Sequence, residues 1–144
     1  MTPTGNGERE VLRGIERHGW IVQWIADAEP PFAYSVGMTP HGLPEVIMFG
    51  LRAETMQFFI NEVCGRMLYE QVRYRHGDVI TELSEGGQPL KVLDVDDTSP
   101  LGSGHRLYQS VLALQLVYAD QEGRFPWDEG YAFPLEEQPL LGRP

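Results

Sequence analysis

Two polar side chains interrupt runs that otherwise read as buried strands. Glu45 opens EVIMFG (Glu45–Gly50), and Gln115 breaks VLALQLVYA (Val111–Ala119). An unpaired buried amide costs roughly 1–3 kcal/mol, and an unpaired carboxylate costs more. Each must find an internal partner or face a cavity. An internal hydrogen bond to backbone is the simpler outcome. The other outcome is a polar-tipped pocket in which Tyr34 and Trp127 supply aromatic walls. In such a pocket Glu45, with a pKa raised by burial, could serve as a general base. Tyr34, His41 and Asp120 would be the further acid–base groups.

Other chemically suggestive patterns lack their context. LKVLDVDDT (Leu90–Thr98) places Asp94 and Asp96 at a strand end. That pattern resembles the phosphotransfer motif of haloacid-dehalogenase-like enzymes, with Asp94 as nucleophile and Asp96 as acid–base. The motif needs a doubly wound parallel sheet, a downstream lysine and a second acidic pair. No lysine follows Thr98. Asp94, Asp96 and Asp97 do not have EF-hand spacing, because Thr98 stands where a third ligand belongs. Asp120, Glu122, Asp128 and Glu129 form another acidic group, which reads as a solvated turn. His18, His41, His76 and His105 have no metal-ligand spacing. Cys64, the single cysteine, lies beside an apolar helical stripe and reads as a small hydrophobe. Ser35 lacks the flanking glycine of a nucleophile elbow. Gly102-Ser103-Gly104 lacks the lysine of a phosphate loop. No catalytic constellation is complete, and the sequence predicts no metal and no cofactor.

The whole chain sets wider bounds. Its 144 residues suit one domain. With 42% apolar and 22% charged residues, the composition is that of a globular protein. One cysteine permits no internal disulfide and fits a reducing compartment. Met1–Glu10 is polar and has no signal-peptide pattern, and no apolar run approaches the ~20 residues of a membrane span. These features predict a cytoplasmic protein. The net charge is −10, and Lys91 is the only lysine among eleven basic residues. Nucleic acid and membrane surfaces are therefore not expected partners.

The elements that must position these residues follow from periodicity. Glu8–His18 is amphipathic, with Val11, Leu12 and Ile15 on one face, and Gly19 stops it. Trp20–Asp27 and Phe32–Gly37 read as a hairpin around Pro30-Pro31. Glu45–Gly50, apolar on both faces, belongs in the middle of a sheet. Ala53–Leu68 carries Met56, Phe59, Ile60, Val63 and Met67 at helical spacing. Asp78–Leu83 and Leu90–Val95 flank a Gly-rich turn, Thr98–Gly104 reads as a loop, and Ser110–Tyr118 as a strand. The pattern predicts one α+β domain over 8–135, with a mainly antiparallel sheet of five to six strands and two main helices. Residues 1–7 form an N-terminal segment, and 136–144 read as a loose tail.

Three stretches taken together resemble one family: HGWIVQWI (His18–Ile25), FAYSVGMTPHGLPEVIMFGL (Phe32–Leu51) and LQLVYADQEGRFPWDEG (Leu114–Gly130). As a set they are similar to the bacterial domain of unknown function 4262 family. Its signature falls on Trp20, Tyr34, Ser35, Gly37, Pro44, Glu45, Gln115, Asp120, Gly123, Phe125, Pro126 and Trp127. Met38 stands where leucine is usual, and Leu43 stands where the family often has histidine. The resemblance implies a shared fold and no particular reaction. The leading expectation is a non-catalytic module that binds a small molecule or a protein, with oligomer formation left open. Its pocket would comprise Tyr34, His41, Glu45, Gln115, Asp120 and Trp127. The alternatives are a hydrolase-like enzyme using carboxylate and tyrosine groups, and an acidic decoy that mimics nucleic acid.

Overall fold

The computed structural model describes residues 6–144. The chain runs α1 (Asn6–His18), β1 (Ile21–Ile25), β2 (Phe32–Val36), β3 (Glu45–Phe49), α2 (Ala53–Tyr69), β4 (Val79–Ile80), β5 (Leu90–Asp94), α3 (Gly102–Leu107) and β6 (Ala113–Tyr118). Short 3-10 turns occupy Thr39–His41, Glu85–Gly87 and Leu135–Glu137. The expected α+β architecture is present as one six-stranded sheet in the order β1-β2-β3-β6-β5-β4.

Every neighbouring pair is antiparallel except β3 and β6, which run parallel. A parallel pair needs a long crossover. Here α2 and the β4–β5 hairpin supply it. Each residue of β3 is buried, as expected of a strand covered on both faces.

One face of the sheet carries α2, which buries Met56, Phe59, Ile60, Val63, Cys64 and Met67. These side chains meet Ala33, Val46, Met48, Leu114 and Leu116. Full burial of an aliphatic side chain of this size contributes about 1.5–3 kcal/mol. The helix begins without a side-chain cap, and Glu54 sits in its first turn where a negative charge suits the helix dipole. The other face carries Val11 and Ile15 of α1 and Leu101 and Leu107 near α3. They pack on Tyr34, Val36, Ile47 and Phe49.

Several expectations are corrected. Asn6 and Gly7 belong to α1, so the helix begins within the expected N-terminal segment; residues 1–5 lie outside the described residues. The stretch expected as a loop, Thr98–Gly104, runs into α3, whose weak glycine-rich sequence hides a six-residue helix. The tail 136–144 is tied down at several points. Gln138 is buried, and its side chain pairs with the backbone of Tyr118. Oε1 accepts from the Tyr118 N–H at 3.0 Å, and Nε2 donates to the Tyr118 carbonyl at 3.0 Å. Leu141 offers its carbonyl to the N–H groups of Asp96 (2.8 Å) and Asp97 (3.0 Å). A polar, proline-containing segment is thus held through side chains and single backbone contacts, which leave no periodic signal in its sequence.

Gln138→Ala leaves both backbone groups of Tyr118 without these partners. Urea denaturation should show a loss of about 1–3 kcal/mol, with the far-ultraviolet spectrum of the native state retained. A loss below about 0.5 kcal/mol would show that the tail contributes little to the fold.

Candidate functional site

Glu45 is fully buried at the start of β3, and among the described residues no cation pairs with it. Its two oxygens instead receive five hydrogen bonds. Oε1 accepts from Ser35 Oγ at 2.7 Å and from the Met38 N–H at 3.2 Å. Oε2 accepts from the N–H groups of Gly37 (3.3 Å) and Thr39 (2.9 Å) and from Thr39 Oγ1 (2.7 Å). Ser35 Oγ in turn accepts from the Val46 N–H at 2.9 Å. The backbone folds around the carboxylate because Gly37 takes a φ of 127°, which a side chain would oppose. A Cβ there would lie 2.7 Å from the Gly19 carbonyl and 2.8 Å from Trp20 Cα. The group is a structural anchor whose acceptor capacity is filled.

Tyr34 and Gln115 lie in one row across the sheet: Gln23, Tyr34, Ile47, Gln115, Leu93. Ile47 separates them, and their polar tips have different partners. The Tyr34 hydroxyl accepts from the Ser103 N–H at 2.9 Å, which docks the start of α3. Gln23 Nε2 donates to Ser103 Oγ at 3.3 Å. Gln115 Nε2 donates to the Pro139 carbonyl at 2.8 Å, and its Oε1 accepts from the Leu141 N–H at 2.9 Å.

Asp120 closes the loop after β6. Its side chain is buried, and its oxygens accept from the N–H groups of Glu122, Arg124 and Ala132 and from Arg124 Nε, at 2.9–3.1 Å. Burial alone would push its pKa up. The hydrogen bonds, with the Arg124 amide foremost, overcome this and hold it down at about 2. Trp127 stacks on Phe125 with ring centroids 5.2 Å apart. Lys91 Nζ lies over both rings, 5.6 Å from the centre of Trp127 and 5.7 Å from that of Phe125, within reach of a cation–π attraction. His41 is exposed in the 3-10 turn.

The structure therefore places the six predicted residues in five separate settings. Only Tyr34 and Gln115 share a row, and none of the six lines any of four surface clefts. Glu45 and Tyr34 belong to separate hydrogen-bond networks, so the geometry lends no support to their use as an acid–base pair. Cys64 is fully buried, and burial pushes its thiol pKa well up, so it sits as the expected small hydrophobe. Asp94 and Asp96 border a cleft of about 370 Å³ with His76 and Arg143. Among the described residues no three His, Cys, Asp or Glu side chains group as metal ligands. Among them also, no helix is long and apolar enough to cross a membrane.

The remaining clefts are built from other residues. One of about 560 Å³ lies between the end of α1, β1 and α2. There Trp20 Nε1 already donates to Asn61 Oδ1 at 2.9 Å. Another, of about 500 Å³, runs from Pro44 and Tyr74 to Leu112. The most apolar lies at the C-terminal ends of the parallel strands and holds about 360 Å³. Leu51 follows β3, Ala119 follows β6, and Phe59 projects from α2. Leu90, Tyr118 and Phe133 complete its apolar walls. In open α/β sheets ligands commonly lie in the crevice outside the carboxyl ends of parallel strands, and this cleft has the corresponding place beside the parallel β3–β6 pair. Sequence reading missed this crevice because it did not anticipate the parallel β3–β6 pair.

Residues 14–132 match the family described as Domain of unknown function (DUF4262). The chain belongs to this family. The match takes in all three stretches on which the resemblance rests. No curated protein and no solved structure matches the chain. Membership of DUF4262 brings a shared domain and no assigned activity.

The two buried carboxylates can be tested separately. In Glu45→Gln either orientation of the new amide turns its NH₂ toward a backbone N–H that cannot accept. A loss of about 2–4 kcal/mol in chemical denaturation is expected, and a near-neutral result would contradict the anchor. The pKa of Asp120 is lower in the folded state than its unfolded value of ~3.9. Its stabilising contribution is therefore complete above pH ~4 and is lost as pH falls through about 2. Asp120→Asn should flatten the stability profile across that acid window while lowering stability at neutral pH.

Proposed function

We propose that this DUF4262 domain is a binding module for a small, mainly apolar molecule held at the C-terminal ends of β3 and β6. One observation carries the reading. An apolar crevice of about 360 Å³, walled by Leu51, Phe59, Leu90, Tyr118 and Phe133, opens where the sheet's parallel strands end. Its volume falls in the range of small-molecule sites, roughly 300–1,000 Å³. The polar groups at its border are few: Ser84, Gln88 and Glu137. Such a surface gains free energy by removing apolar area from water, and the few polar groups orient what enters. Four buried polar side chains outside the crevice lining are consumed by structure. Glu45, Gln115, Asp120 and Gln138 all have internal partners.

The test uses N-phenyl-1-naphthylamine, a neutral apolar fluorophore that brightens on leaving water. Saturable binding at one site per chain is expected. Ser84→Trp, a substitution at a half-buried position in the turn before β5, fills the crevice. It should weaken binding about tenfold or more, while a cooperative thermal transition shows that the variant is folded despite losing the Ser84 Oγ bond to the Gln88 carbonyl. No saturable binding, or equal binding by the variant, would sink the proposal.

A further inference from the structure

Within that proposed site, the lining sets the charge of the ligand, and we infer that the crevice selects a hydrophobic amine over neutral or acidic molecules of the same shape. Among its lining residues Glu137 alone is charged at neutral pH, and no lysine, arginine or histidine takes part. Lys91 is next to Leu90 in β5, but alternation turns it to the opposite face of the sheet. There its Nζ lies over Phe125 and Trp127. An acid entering the crevice would meet the carboxylate with no compensating cation.

An amine would meet favourable groups on several sides. Tyr118 and Phe133, both in its lining, have ring centroids 6.2 Å apart. Aromatic faces attract an ammonium through their quadrupole. The Tyr118 hydroxyl lies 3.4 Å from the Gly50 carbonyl, a long contact that leaves its oxygen able to accept. The net charge of −10 adds a field that draws cations toward the domain as a whole. Glu137 is exposed at the rim, so its contribution is screened by salt and amounts to a preference, with the apolar walls supplying most of the affinity.

Three matched probes test the inference: 2-naphthylmethylammonium, 2-naphthylmethanol and 2-naphthoate, each displacing N-phenyl-1-naphthylamine from the full chain. The ammonium should bind about fivefold more tightly than the alcohol at low salt, and the naphthoate more weakly than either. Raising the salt to about 0.5 M should shrink the difference. Glu137→Gln should narrow the gap between ammonium and alcohol at low salt by at least half. If the alcohol binds but the ammonium is no better, or the naphthoate binds best, the charge preference is wrong and the apolar site stands. If the preference survives Glu137→Gln undiminished, its assignment to that carboxylate is wrong. If none of the probes displaces the fluorophore, and the fluorophore itself does not bind, the site and its preference both fall.

Discussion

A carboxylate taken out of water must be answered by donors, and the fold around Glu45 is arranged to supply neutral ones. Three consecutive backbone amides and two hydroxyls converge on its oxygens. This fixes the path of the chain between β2 and β3. Ser35 sits in β2, Glu45 begins β3, and the amides come from the segment joining them. The hydroxyl of Ser35 passes the constraint on to the Val46 amide, and so to the register of the two strands. Since β3 is the strand that joins the antiparallel β1–β2 pair to β6, the arrangement of the whole sheet depends on this anchor.

Partner-seeking polar groups also govern the layer opposite α2. Gln23, Tyr34 and Gln115 form a polar row on a face that is otherwise apolar, and each needs a partner from whatever covers it. Ser103 answers the first two, and the backbone of residues 139–141 answers the third. Apolar packing alone would hold α3 and the tail against the sheet with little directional preference. Hydrogen bonds at fixed positions of one row determine where each lies.

Legibility in the sequence divides along the same line. The helix α2 shows its buried face at regular spacing, and β3 is apolar on both faces; periodicity finds both. Glu45 and Gln115 stood out because polar side chains in apolar strands require an explanation, and each has an internal partner. Whether they share a pocket was not legible, since a sequence shows the need for a partner without its identity. The tail and α3 escaped for the same reason: their positions depend on contacts with residues far away in the chain. The parallel β3–β6 pair lies further still from local pattern, and with it the crevice at the strand ends.

The crevice follows from that pairing. Where β3 leaves the sheet, Gly50 takes a left-handed φ of 84°. The backbone of Glu137 presses against it so closely that a side chain at position 50 could not be accommodated. The Gln138 side chain then pairs with Tyr118 at the end of β6, where β3 no longer does. The tail is thus a wedge between two diverging strands, satisfying the backbone that divergence leaves open. A wedge made from one turn of chain fills only part of the gap. The remainder is bounded by side chains that already belong to the α2-facing core, among them Leu90, Tyr118 and Phe59. The apolar character of the crevice is therefore a consequence of its position: it is an extension of the core beside the turn at Leu135–Glu137.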